Sequence, residues 1–379
     1  MEFALSKEQA LIQKMAREFA IKSIEPVARQ IDEENKIPAE VLEGLGELEL
    51  MGVPFDEEYG GAGGGYDGYV LAMEQIARIS SGVALTISAH TLGLGAISLF
   101  GTEAQKKKFM PPGCKGKGIV SFAFTEPGTG SDPKQIAATA AKEGDYYILN
   151  GTKRFISNAS YPGAMVVFAR ESESGEVTAF VVEKFTEGYS VSAPWEKIGM
   201  HGGLLVDAYC QNMKVPAENM LGAIGQGYAI LQTAISFGKV GVSSTALGGT
   251  LAAYEEAVKY AREKTYRDSN IGRFQAIQLR IADLAMKYEA ARWMVYRLGY
   301  LASNMKDIRQ FAKEAALTKT FVCENAVDVA RIAMDVHGSY GLTRDYKIER
   351  IYRDVIIGPQ IEGVSDMQKM IIAGNVLKG

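Results

Sequence analysis

The eight residues Thr125-Glu126-Pro127-Gly128-Thr129-Gly130-Ser131-Asp132 bring together the groups of this chain best suited to hold an anion. Glycine lets backbone approach a ligand closely, and successive N–H groups in such a turn form a concavity for negative charge. The same composition also suits a plain strand-to-loop turn after the apolar run Ile119 to Phe124. A second candidate lies near the C-terminus, where Glu362 sits between Ile361 and Gly363-Val364, just before a helix beginning near Ser365. A carboxylate among apolar neighbours loses solvation in its charged form, so its pKa rises and it can act as a base near neutrality. A carboxylate at an open helix start would stay solvated instead. The glycine run from Gly60 to Gly65 lacks the Gly-Lys-Ser/Thr ending of a phosphate loop and follows no strand. It reads as a flexible connection.

Elements must hold those residues in place, and the chain changes period twice. Its first third is helical: Ser6 with Gln9 fits a capping box ahead of Leu11, Ile12, Met15 and Phe19. Pro26 ends that helix or starts the next, and Pro38 suits a first helical turn. Two more helices are expected over about 69–78 and 83–100. From Ile119 the period becomes two. Tyr147 to Leu149, Asn150-Gly151, then Lys153 to Ile156 reads as a hairpin with a primed turn. Further strands are expected over 164–169, 177–183, 189–193 and 204–215, an antiparallel barrel or sandwich. From Gly227 helical spacing returns. Ile277, Ile281, Leu284, Tyr288, Ala291, Val295 and Leu298 form one bundle seam, and Ala316, Thr320, Cys323, Val327, Ala330 and Met334 another. The expected fold class is α+β: an N-terminal helical domain (1–118), a middle antiparallel β-barrel domain (119–226) and a C-terminal four-helix-bundle domain (227–379).

Bulk properties exclude several classes. A chain of 379 residues suggests two or three domains. Its 47% hydrophobic and 23% charged residues suit a folded enzyme, and a formal charge of −4 offers no footprint for nucleic acid or anionic membrane. No apolar run approaches the roughly 18 residues that span a bilayer. The N-terminus lacks the basic and apolar regions of a signal peptide. Cys114, Cys210 and Cys323 are scattered, as are His90, His201 and His337. Reduced thiols in a cytoplasmic protein, and no metal site, are expected.

Several motifs, in order along the chain, resemble the acyl-CoA dehydrogenase family, whose helical, β and helical-bundle order also matches. Thr125 to Asp132 resembles its flavin-contact signature. Lys153-Arg154-Phe155-Ile156-Ser157-Asn158 is similar to Lys-x-Trp-Ile-Thr-Asn, and Ile361-Glu362-Gly363-Val364-Ser365-Asp366-Met367-Gln368 to Tyr-Glu-Gly-Thr-Ser-x-x-Gln. The resemblance implies FAD as cofactor, Glu362 as catalytic base, and α,β-dehydrogenation of an acyl-CoA thioester. Proton loss from Cα to Glu362 would accompany hydride transfer from Cβ to flavin N5. It further implies that the backbone N–H of Glu362 and a ribityl hydroxyl bind the thioester oxygen. Cofactor contacts are implied for Phe122, Phe124, Thr125, Gly130, Ser131, Phe155, Ser157 and Val364. Lys264, Arg267, Asp335 and Gly338 would meet the FAD of a neighbouring subunit. Phe155, in place of Trp, keeps the ring and loses the indole donor.

Substrate contacts are implied for Thr91, Leu94, Ser131, Ser236, Lys239, Ile361 and Gly363. An apolar acyl group is expected: short or medium chain, branched or cyclic. Ser236-Phe237-Gly238-Lys239 departs from the usual Asp-x-x-Arg, and Lys264, Asp335 and Val364 depart from the usual FAD contacts. The family implies a homotetramer and an electron-transferring flavoprotein as partner. Alternatives that keep the same fold are an enoyl-CoA reductase running in reverse, an oxidase, and a helical adaptor without cofactor. The charged run Ile348 to Asp354 reads as structural ion pairs.

Overall fold

A computed structural model describes residues 4–377; residues 1–3, part of the segment judged for a leader, lie outside them. Six helices come first: α1 (Lys7–Phe19), α2 (Ala28–Glu34), α3 (Ala39–Glu47), α4 (Gly65–Ala77), α5 (Ser81–Phe100) and α6 (Glu103–Cys114). The capping box at Ser6 forms: Ser6 N donates to Gln9 Oε1 at 2.9 Å, and Gln9 N to Ser6 Oγ at 3.1 Å. Thr102 and Gln105 make a second such box at the start of α6. That helix went unanticipated because Pro111 and Pro112 stand in its last turn. The Gly60 to Gly65 connection is ordered, not flexible. Gly61, Gly63 and Gly64 donate backbone N–H bonds to Asp56, Phe55 and Val53.

Eight strands follow in one sheet: β1 (Ser121–Ala123), β2 (Thr139–Glu143), β3 (Tyr146–Ser157), β4 (Ala164–Glu171), β5 (Val177–Glu183), β6 (Tyr189–Val191), β7 (Leu205–Pro216) and β8 (Met220–Leu221). Their order is β6-β7-β3-β2-β4-β5-β8, with β1 also on β4. The sheet is mixed: β1–β4 and β2–β4 run parallel, the other pairs antiparallel. The expected hairpin at Asn150-Gly151 is corrected. Those residues lie inside the continuous strand β3 as a bulge, where the register against β7 shifts between Leu149 and Gly151. A Cβ on Gly151 would stand 2.5 Å from that of Ala138, so the glycine answers a close approach. The true turn is Gly144-Asp145, between β2 and β3, with Gly144 at φ 58°.

The chain closes with α7 (Gly227–Glu263), the two-residue strands β9 (Thr265–Tyr266) and β10 (Ser269–Asn270), then α8 (Gln275–Asn304), α9 (Ile308–His337), α10 (Ile348–Val355) and α11 (Ser365–Val376). Both expected seams face inward: Leu284, Ala291, Val295 and Leu298 of α8 are buried, as are Ala316, Thr320, Cys323 and Ala330 of α9.

Two apolar cores result. One joins Ile31, Leu45 and Val70 to Leu247, Leu298, Phe311 and Val329. The other joins Leu94 and Phe109 to Phe168, Phe180 and Val206, and to Ile230 and Leu231 of α7. Helix α5 lies between them. It corrects the expectation of no membrane-length apolar run: its best window has a mean hydropathy of 1.6, but 78% of that window is buried inside the protein. Such a helix is what a core requires.

Candidate active site

Glu362 occupies a short loop between the turn Gly358–Gln360 and α11. Its own φ is +52° and that of Gly363 is +88°, two successive left-handed residues. A non-glycine residue in that region is strained, and such strain collects at sites that use it. The loop turns the carboxylate onto α7, where glycine leaves room: a Cβ on Gly238 would stand 3.0 Å from Glu362 Oε2 and 3.1 Å from Leu92 Cδ1 of α5. Lys239, next along α7, is only 4% exposed and makes no ion pair among the described residues. Burial lowers its pKa to about 8, against the pull of Glu362. Lys319 of α9 is fully buried and donates to Gly363 O at 2.8 Å and Pro359 O at 3.3 Å. Burial raises Glu362 to about 7, and Lys239 and then Lys319 restrain the rise. Glu362 keeps part of its surface open, yet enough protein surrounds it for desolvation to dominate. Its backbone N–H donates to no acceptor among the described residues, which leaves it free for a ligand oxygen.

Helix α5 connects this corner to the β domain. Thr91 and Leu92 lie beside Glu362's surroundings, and Tyr69 of α4 feels its charge. Gly93 rests on Val120 and Ser121, at the start of β1. His90 Nδ1 accepts the N–H of Val120 at 2.8 Å. Leu94 needs correction: its side chain packs on Gly113 of α6, away from Leu92. Residues two apart on a helix point roughly 200° apart, so Leu92, not Leu94, faces the carboxylate. Ser236 is buried, and its hydroxyl donates back to Gln232 O at 2.8 Å within its own helix. Ile361 packs partly buried on the first core. Val364 precedes the first residue of α11.

The turn after β1 is built around a buried ion pair. Lys153 Nζ meets Glu126 Oε1 at 2.6 Å, and Glu126 also accepts the N–H groups of Ala137 (2.7 Å) and Ala138 (3.0 Å). Arg154 N donates to Thr125 O at 2.7 Å, which brings Thr125 beside Phe155. Phe122 and Phe124 are half-buried against the second core, and Gly130 and Ser131 are exposed. Phe155 is 49% exposed with φ +57°, and its ring centroid lies 5.3 Å from that of Trp195. Ser157 is half-buried at the end of the same strand. Phe155 and Trp195, 49% and 41% exposed, pack on each other with Arg154 beside both rings, next to the exposed Gly130-Ser131 turn, an arrangement that fits a planar ring bearing phosphates. Trp195 was missed; no local motif marks it, and Asp207 holds it at 3.0 Å from indole Nε1.

Lys264, Arg267, Asp335 and Gly338 do not join this site. Lys264 follows the last residue of α7, about 39 Å from Gly238 at the helical rise of ~1.5 Å per residue. There its ammonium lies 4.3 Å from the centre of the Tyr340 ring. Arg267 sits in the adjoining β9–β10 turn with φ +45°, and Gly338 ends α9. Asp335 pairs with Arg331 at 3.2 Å. The run Ile348 to Asp354 is structural as expected. Arg353 grips Asp32 with both terminal nitrogens (2.9 and 2.6 Å) and Glu349 through Nε (2.8 Å).

The Glu362 carboxylate, set against Gly238 and Leu92, and the exposed Phe155–Trp195 ring pair are the two features to compare with known proteins. The chain belongs to the acyl-CoA dehydrogenase family, matching its N-terminal domain over residues 6–117, its middle domain over 121–213 and its C-terminal domain over 225–377. It is similar to a 3-(aryl)acrylate reductase of Clostridium sporogenes, 39% identical over 98% of this chain and 99% of that one. It is also similar to a caffeyl-CoA reductase–Etf complex subunit of Acetobacterium woodii, 36% identical over 98% and 99%. Among solved structures, the butyryl-CoA dehydrogenase of Megasphaera elsdenii superposes with a TM-score of 0.95 at 34% identity, covering 100% of both chains. The chain is therefore an oxidoreductase of an FAD-dependent family.

Proposed function

We propose that this protein interconverts an acyl-CoA and its 2-enoyl-CoA, with Glu362 carrying the Cα proton. The enclosure of the Glu362 carboxylate against Gly238 and Leu92, flanked by two buried lysines, carries the reading. When bound, FAD supplies the hydride acceptor or donor for Cβ. Thr125, Phe155, Ser157 and Trp195, together with the Gly130-Ser131 turn, are the residues that would hold it. The free N–H of Glu362 would donate to the thioester oxygen, where charge develops as the proton leaves. Thr91, Leu92 and Ile361 would shape a compact, mostly apolar acyl site. An electron-transferring flavoprotein is the proposed redox partner; the relative in A. woodii is named for such a complex.

The acidity of Glu362 suits proton transfer in either direction. With its pKa near 7, Glu362 is populated in both forms at neutrality, so it can take a proton or give one. A second reading, reduction of an arylacryloyl thioester, is motivated by the likeness to the 3-(aryl)acrylate reductase. Dehydrogenation needs the carboxylate, so its kcat should rise with pH through about 7. Enoyl reduction needs the carboxylic acid, so its kcat should fall with pH through the same midpoint. Stopped-flow rates of flavin bleaching and recovery across the neutral range measure both limbs. Flat profiles in the two directions would remove Glu362 from proton transfer.

Assembly as a homotetramer is part of this proposal: Lys264 and its neighbours, at the far end of α7 from Gly238, would serve the cofactor of another copy. The outer face of α8 carries Leu279, Met286, Trp293 and Tyr300 at seven-residue intervals, all exposed. A stripe of that length suits a second copy of this chain. Met286→Lys places a charge in its middle, and sedimentation should then show smaller species with reduced flavin content. An unchanged sedimentation profile would argue that α8 faces solvent.

A further inference from the structure

Lys319 approaches the Glu362 loop differently from Lys239. It is fully buried on α9 and has no carboxylate within ion-pair distance among the described residues. Its ammonium instead grips two carbonyls that bracket the base: Pro359 O before it and Gly363 O after it. One turn farther along α9, the Cys323 side chain underlies Gly358, where an added Cβ would stand 3.2 Å from Sγ. The loop thus rides on α9, and Ser365 Oγ reaches the same Pro359 carbonyl at 3.5 Å. Between the two gripped carbonyls lie Ile361, in extended conformation, and Glu362 at positive φ.

We propose that Lys319 is a positioning residue: by holding both carbonyls it fixes the left-handed backbone from which the Glu362 carboxylate reaches Gly238. This rests on the reading of Glu362 as the proton carrier. A loop with a strained non-glycine residue relaxes unless its surroundings over-determine it. Two hydrogen bonds from one buried cation supply that constraint, since each carbonyl freed inside the protein would need a new donor. An apolar side chain would fill the same space without the desolvation of an ammonium, so packing alone does not account for a lysine there. The groups facing Glu362 are Lys239 from α7, Lys319 from α9 and Tyr69 from α4. Of these only Lys319 bonds to the backbone that carries it.

The test is Lys319→Met in the full-length holoenzyme, beside Glu362→Gln. Flavin absorbance and KM for the CoA thioester should be retained, while kcat falls about 100-fold, the cost typical of a base misplaced by ~1 Å. The pH midpoint for dehydrogenation should also move up, because one of two cations restraining Glu362 is gone. Lys319→Arg, which keeps charge and donors, should bring the midpoint back and recover part of kcat. If Lys319→Met does not retain flavin, Lys319→Gln is measured in its place and the same separation of kcat from KM is expected. Wild-type kcat and midpoint in Lys319→Met, with Glu362→Gln inactive, overturns the positioning role and leaves the proton-carrier reading intact. An active Glu362→Gln overturns the reading on which both depend.

Discussion

Glu362→Gln should lower kcat by about 10²–10⁴-fold, the usual contribution of a positioned general acid or base. The amide matches the carboxyl in shape, so it can lie over Gly238 as the acid does. What it lacks is a proton site. Loss should be equal in both directions, since the same group takes the proton from Cα and returns it. Flavin content and affinity for the CoA thioester should stay near wild type, because Glu362 makes no side-chain hydrogen bond to the protein among the described residues. Steady-state kinetics with acyl- and enoyl-CoA, alongside a visible spectrum, make the measurement. Retained turnover in either direction would defeat the assignment.

Lys153→Met should destabilise the protein by about 3–5 kcal/mol, the cost of stripping one partner from a buried ion pair. Both groups are nearly inaccessible, so solvent cannot replace the missing charge. The two N–H donors from Ala137 and Ala138 remain on Glu126 and should keep the loss toward the lower end. The pair also shapes the turn that follows β1, because Lys153 donates to Phe124 O at 3.3 Å. FAD affinity should therefore fall along with stability. Urea unfolding followed by far-ultraviolet dichroism gives the first quantity, and equilibrium dialysis of flavin the second. An unaltered unfolding midpoint would mean that Glu126 is left without its lysine at no cost.

Much of this was legible in residue order. Period-two and period-four spacing separates the sheet from the helices, because burial on one face imposes those repeats on any chain. The seams of α8 and α9 could be read for that reason, and the cap at Ser6 because it is local chemistry. Long-range geometry was not legible. Asn150-Gly151 carries the composition of a turn, but Ala138 from another part of the chain decides what happens there. The same holds for Leu92 and Leu94: both are apolar residues of one helix in one core, and only the packing of α6 and α7 around α5 sets Leu94 on Gly113 and Leu92 on Gly238. Lys319 lies outside the seam that spacing picks out on α9, and nothing nearby in sequence announces the carbonyls it holds. Trp195 acquires its place from Phe155 and Asp207, both distant in sequence.

The apolar cores ignore the order in which the segments are written. Phe109 from the first stretch, Phe180 from the second and Leu231 from the third share one interior, and Leu45 shares another with Phe311. No segment has a finished inner surface of its own. Natural variation among such proteins should then favour compensating changes spread over all three stretches, and a chimera made by exchanging a single stretch would inherit a mismatched seam along its whole length.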